Sequence, residues 1–115
     1  MIELIVKDFL ETKMAVPVLL EVPKDPPASF IIIEKTGGGQ TTYIKSAVLA
    51  IKSYAASMYG ASQLNEELKT AMLDGNEGLI TSPDIVSVHL NSDYNYTDTS
   101  EKRYRYQAVF DVYHY

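Results

Sequence analysis

Two alternations near the C-terminus constrain the fold of this chain more than any other feature. In "DIVSVHLNSDY" (residues 84–94), Val86, Val88 and Leu90 alternate with Ser87, His89 and Asn91. In "RYRYQAVFDVYHY" (103–115), Tyr106, Ala108, Phe110 and Val112 alternate with Gln107, Val109, Asp111 and Tyr113. A period of two gathers one apolar set on one face of a strand. Folding the two runs about Asp98 as an antiparallel hairpin sets Val88 against Ala108, Val86 against Phe110 and Leu90 against Tyr106. Both apolar sets then share a face, as a hairpin register requires. The intervening "SDYNYTDTSEK" (92–102) is polar and too long for a tight turn. It predicts an exposed, mobile flap over Asn95–Glu101, because its acidic residues resist burial.

An apolar sheet face needs a cover, and the rest of the chain supplies one. Ile2, Ile5, Val6, Phe9 and Leu10 fall on one stripe of a helix over 2–13. Ala61, Leu64, Leu68, Ala71 and Met72 form the stripe of a second helix, from about Ser57 to Leu73, with Gly75 as its stop and Gly60 as a weak point. Three further strands are expected: 15–22, at an edge because of Pro17; 29–35; and 43–54. Pro23, Pro26 and Pro27 turn the chain between the first two. The expectation is an α+β fold: a mainly antiparallel β-sheet with helices packed on one face. At 115 residues the chain reads as one domain spanning 1–115.

Composition removes several function classes. There is no cysteine, hence no disulfide framework, thiol nucleophile or thiolate metal site. A net charge of −5 argues against gripping nucleic acid by its phosphates. The opening "MIELIVKDFLETKM" is interrupted by charges and does not read as a signal peptide. No apolar run approaches membrane-spanning length.

The stretch "IIIEKTGGGQTTY" (31–43) invites a phosphate-binding reading. Its spacing refuses it, because Lys35 precedes the glycines and Gln40 follows them, whereas that motif needs Gly-Lys-Ser/Thr at a helix start. Contiguous Gly37, Gly38 and Gly39 do not make a dinucleotide fingerprint either. They read as a flexible loop between strands, mobile over Gly37–Gln40 in the free protein. His89 and His114, placed opposite Gln107 and Ser82 by the hairpin, lie roughly 23 Å apart at about 3.3 Å per residue, too far for one metal ion. Glu66 and Glu67 diverge around a helix and form a solvated face. Asp93, Asp98 and Glu101 lack the glycine and spacing of a calcium loop. No Gly-x-Ser-x-Gly elbow presents a nucleophile. No catalytic, cofactor-binding or metal residue is assigned. Six of the nine tyrosines follow residue 90. Tyr113, Tyr115, Arg103 and Arg105 are expected on the face away from the core, in the tyrosine–arginine mixture typical of interfaces.

The order of these parts resembles the tail-terminator (tail-completion) family of long-tailed bacteriophages. The resemblance runs over nearly the whole chain. It rests on an amphipathic helix ending in "VPV", the "VPKDPP" turn, "FIIIEKTGGG", "AVLAIKSYAAS" leading into an alanine-rich helix, and a late hairpin with "RYRYQ". Its most specific pieces are "IEKTGG" (33–38) and "RYQ" (105–107), and the flap is longer than the pattern. The resemblance implies a non-enzymatic assembly protein without a cofactor. Such a protein caps the tail tube as a ring, typically hexameric, ends tube growth and offers the head connector a joining surface. Its partners would be copies of itself, monomeric in isolation where the tube end is the template, the major tail-tube protein and the head–tail connector, with DNA only crossing the lumen. It would reside in the virion neck, and in host cytoplasm during assembly. The contact residues expected on these grounds are Thr36, Gly37, Gly38, Gly39, Gln40, Tyr94, Asn95, Tyr96, Arg103, Arg105, Tyr113 and Tyr115. The competing expectations are another neck or head-completion protein and a small-molecule-binding α+β module.

Overall fold

A computed structural model describes residues 1–98 and 103–115. Helix α1 (Ile2–Lys13) is followed by strands β1 (Val18–Leu19), β2 (Phe30–Gln40) and β3 (Lys45–Ala55), helix α2 (Met58–Leu73), a 3₁₀ turn (Leu79–Thr81), and strands β4 (Ile85–Asn95) and β5 (Tyr104–His114). The strands form one sheet in the order β1-β2-β3-β5-β4. Every neighbouring pair is antiparallel except β1 with β2. This is the α+β architecture expected from the patterns.

Both helices follow their stripes. In α1, Ile2, Val6 and Leu10 are buried, and the helix ends at Met14, whose backbone is extended. In α2, Ala61, Leu64, Leu68 and Met72 are buried. The Ser57 hydroxyl caps α2 by accepting from the Gly60 N–H at 3.0 Å. Gly60 is therefore part of the cap rather than a weak point, and a Cβ there would crowd Ser57 Oγ at 3.1 Å. The helix closes at Asp74, not Gly75. The glycine that matters in this turn is Gly78, where a Cβ would lie 2.2 Å from the Asp74 carbonyl oxygen.

The sheet has two unlike faces. One meets the helices: Ile31 and Ile33 of β2, Leu49 and Ile51 of β3, and Ala108, Phe110 and Val112 of β5 form one core with α1 and α2. Full burial of an Ile, Leu, Val or Phe side chain stabilises by about 1.5–3 kcal/mol. Among the described residues no helix covers the other face. Its own small cluster is Phe30, Ile32 and Tyr54, with Leu19 against it.

Three expectations are corrected. The hairpin pairs Val88 with Val112 and Leu90 with Phe110, four residues away from the expected register. An even displacement leaves the faces unchanged, which is why the apolar sets still meet. Its cause is that pairing runs on through Asp93–Asn95 to an Asp98–Arg103 bridge, beyond where polarity suggested a flap. The tip of the expected flap, Thr99–Lys102, lies outside the described residues. Second, Gly37–Gly39 are not a loop: they belong to β2 and pair with Val48, Ala47 and Ser46. The register slips by one between Lys35 and Gly37, making Thr36 a bulge. The turn falls instead at 41–44, where the Thr41 N–H donates to the Ile44 carbonyl at 2.8 Å. Third, β1 is two residues long rather than eight.

Candidate interaction surface

The chemistry of this molecule concentrates on the uncovered sheet face, at the end where β2 starts and β4 stops. Phe30 and Tyr54, paired across β2 and β3, stack with centroids 4.5 Å apart and planes within 7°. Tyr54 faces Arg105 of β5. The Arg105 guanidinium donates from Nη1 to Tyr54 Oη at 3.2 Å and from Nε to the Tyr96 carbonyl at 2.6 Å. The same guanidinium lies 4.5 Å from the Tyr96 ring centroid and 5.7 Å from that of Tyr54. Lys52 Nζ adds a second cation 5.7 Å from the Tyr96 ring while pairing with Glu34 at 3.0 Å. Tyr94 meets Tyr96 edge-on at 5.9 Å and accepts from the Gln107 amide. The result is a row of aromatic rings and cations across four strands. Each cation–π contact is worth about 0.5–1 kcal/mol at an exposed site. Tyr94 and Tyr96 remain 41% and 42% exposed, so the outer end of the row is open to a partner.

One extra residue creates this arrangement. Between Leu90 and Ser92 the ladder skips Asn91. Before the bulge, Val88 and Leu90 pair with the helix-facing Val112 and Phe110; after it, Tyr94 pairs with Gln107, which faces away from the helices. The bulge thus moves the even-numbered residues to the open face and turns Asp93 under α2. There Asp93 accepts from Asn65 Nδ2 at 2.6 Å and from Lys69 Nζ at 2.5 Å. Asp93 and then Glu66, 2.7 Å away, hold the Lys69 ammonium above the ordinary lysine range.

The expected contact residues separate into two groups. Tyr94, Tyr96 and Arg105 join the row, and Arg103 adjoins it through its bridge to Asp98. Asn95 pairs with Tyr106 and belongs to the helix side. Thr36, Gly37, Gly38, Gly39 and Gln40 lie at the far end of the sheet, where Gln40 and Tyr113 share the wall of a shallow cleft of about 270 Å³. Tyr115 follows β5 and donates its N–H to the Asp84 carbonyl at 3.0 Å. Eight residues at about 3.3 Å each put the two groups roughly 26 Å apart. Phe30, Lys52, Tyr54, Asn65 and Lys69 were not singled out from the sequence, and Gln107 was singled out only through the "RYQ" piece of the resemblance. Lys52 and Tyr54 share a strand parity, a signal that was present, but their neighbours across the sheet were not visible.

His89 lies opposite Asp111 and His114 opposite Ile85, so the hairpin separates them by three residues, about 10 Å, rather than seven. They occupy opposite faces: His114 is buried, whereas His89 stands exposed against Tyr113 at 6.4 Å. Among the described residues no three His, Asp or Glu side chains gather as a metal site, and no helix is long and apolar enough to cross a membrane. A depression of about 440 Å³ lies between α1 and α2 and is walled by Lys13, Glu66, Glu67, Asp74 and Glu77. It is open and acidic on its rim. No protein-family model and no curated protein matches the chain.

Proposed function

We propose that this chain is a non-enzymatic phage assembly protein that seats as a ring on the end of the tail tube, stops tube growth and offers a joining surface to the head. The observation that supports this reading is the half-open tyrosine–arginine row on a sheet face without a helical cover. Rings and guanidinium groups held rigid by a sheet lose little entropy on contact, and they are the residue types that anchor protein interfaces. The resemblance in the order of sequence parts, from "VPV" to "RYRYQ", points the same way. An acidic protein would also let DNA pass without holding it.

The groove between α1 and α2 favours a second reading, a small-molecule-binding module, because its volume of about 440 Å³ falls in the range of ligand pockets. Seven of its eight lining residues are charged or polar, whereas such pockets are lined mainly by hydrophobic and aromatic side chains.

The deciding experiment adds the purified chain to tail-tube protein of the same phage during polymerisation. Electron microscopy should show a ring at one tip and tubes that cease to lengthen. Tubes that grow equally long and bare with and without the chain would end the proposal.

A further inference from the structure

Among the described residues the sheet leaves open the later part of β2 on one side and β4 on the other, and their match to each other suggests how copies join. Along the outer side of β2, strand β1 covers only Ile31 and Ile32. From Glu34 to Gln40 the strand is exposed and has no strand partner among the described residues on that side. At the opposite side of the sheet, β4 is the other edge. Bulges limit what each edge can pair: the slip at Thr36 leaves Gly37–Gln40 regular on β2, and the slips at Val86 and Asn91 leave Ser87–Leu90 regular on β4.

These two runs are of equal length and share three cross-strand rows. Gly37 continues through Val48 and Asp111 to His89, Gly38 through Ala47 and Val112 to Val88, and Gly39 through Ser46 and Tyr113 to Ser87. Three successive antiparallel pairings also make β2 and β4 run in opposite directions. A second copy in the same orientation therefore presents its β4 antiparallel to the first copy's β2, and the sheet continues without reversal. The glycines fit this use. A Cβ at Gly38 would collide with the Ser46 carbonyl oxygen at 2.6 Å, so the monomer itself requires that glycine. At Gly37 a Cβ would meet nothing closer than 3.9 Å, so the monomer does not require this one. A bare backbone on an edge admits close approach of another strand.

We infer that copies of this chain join head to tail by strand addition, Gly37–Gln40 of one copy pairing with Ser87–Leu90 of the next. The contact is heterologous, so it closes into a ring or grows open-ended. The inference rests on the ring reading above and names the surfaces that build the ring.

The chain has no cysteine, which makes engineered disulfides a clean test. The two edges of one molecule stand three strand spacings apart, about 14 Å, beyond the roughly 7 Å limit for a bridge. Any bond between them must join two molecules. Gly37→Cys is combined in turn with Ser87→Cys, His89→Cys and Asn91→Cys, folding is checked by circular dichroism, and mild oxidation is applied on tail tubes. A second set, in case Gly37→Cys does not fold, joins Gln40→Cys with Val86→Cys, Val88→Cys and Leu90→Cys, which share its helix-side face. The expected result is a reductant-sensitive ladder of linked chains that stops at a fixed ring size. A control pair across the two sheet faces, Glu67→Cys on α2 with Asp111→Cys on the open face of β5, should give none. Rings visible on tube tips with no ladder from any edge pair, or a ladder from the face pair alone, would overturn strand addition and leave the capping reading standing. Bare tubes together with an edge ladder in concentrated solution would do the reverse.

Discussion

Asp93 reaches two side chains of α2 at once, and it ties the end of β4 to the helical layer. Replacing it by Ala leaves the buried Asn65 amide without its acceptor. Asp93→Ala should cost about 1–3 kcal/mol, the range for an orphaned buried polar group, read as a lower urea midpoint. The same cluster has a pH signature. The folded state holds the Lys69 proton more tightly than the unfolded chain, whose ordinary value is 10.5. Its contribution is full below that value and is lost as pH rises through the raised one. Unfolding free energy should therefore fall on the alkaline side in the native chain, and Lys69→Met should flatten that fall. The glycines offer a paired test at the same scale. Gly38→Ala should destabilise by about 1–3 kcal/mol through overpacking against the Ser46 carbonyl. Gly37→Ala should stay within about 1 kcal/mol of the parent in thermal melts, because its Cβ finds room.

At the scale of elements, bulges decide what each strand presents. Deleting Asn91 would restore simple alternation beyond Leu90 and turn Tyr94 and Tyr96 towards α2, with Asp93 turned away. The expected outcome is loss of the Asp93–Lys69 contact and a fall of several kcal/mol in stability, since charged and aromatic groups exchange environments. A deletion variant as stable as the parent, with NMR contacts between Tyr96 and Arg105 retained, would show that the bulge is incidental. For α2, Ser57→Ala should cost about 0.5–2 kcal/mol in thermal unfolding by removing the cap. The helices were legible because a stripe at 3.6-residue spacing is a local property. The glycine run was not: three glycines resemble a loop on propensity alone, and only the long β3 beside them holds them extended.

Over the whole molecule, charge is divided by layer. Residues 1–13 and 58–77 hold seven of the fifteen acidic residues but only three of the ten basic ones. The helical side is therefore the acidic side, and the aromatic–cation row occupies the opposite face. If that row is a contact surface, Tyr96→Ala combined with Lys52→Ala should leave the secondary structure intact by circular dichroism yet remove seating on tail tubes. Seating unchanged in that variant would move the contact elsewhere. The sequence by itself determined the two helices, the facing of the apolar alternations and the α+β class, because periodicity is set by residues close along the chain. Only the tertiary structure decided the hairpin register, the extension of β2 through its glycines, and the meeting of Phe30, Tyr54, Arg105 and Tyr96. Each of these depends on which strand lies beside which. An even slip of a strand, or one bulged residue, changes those neighbours while leaving the local pattern as it was.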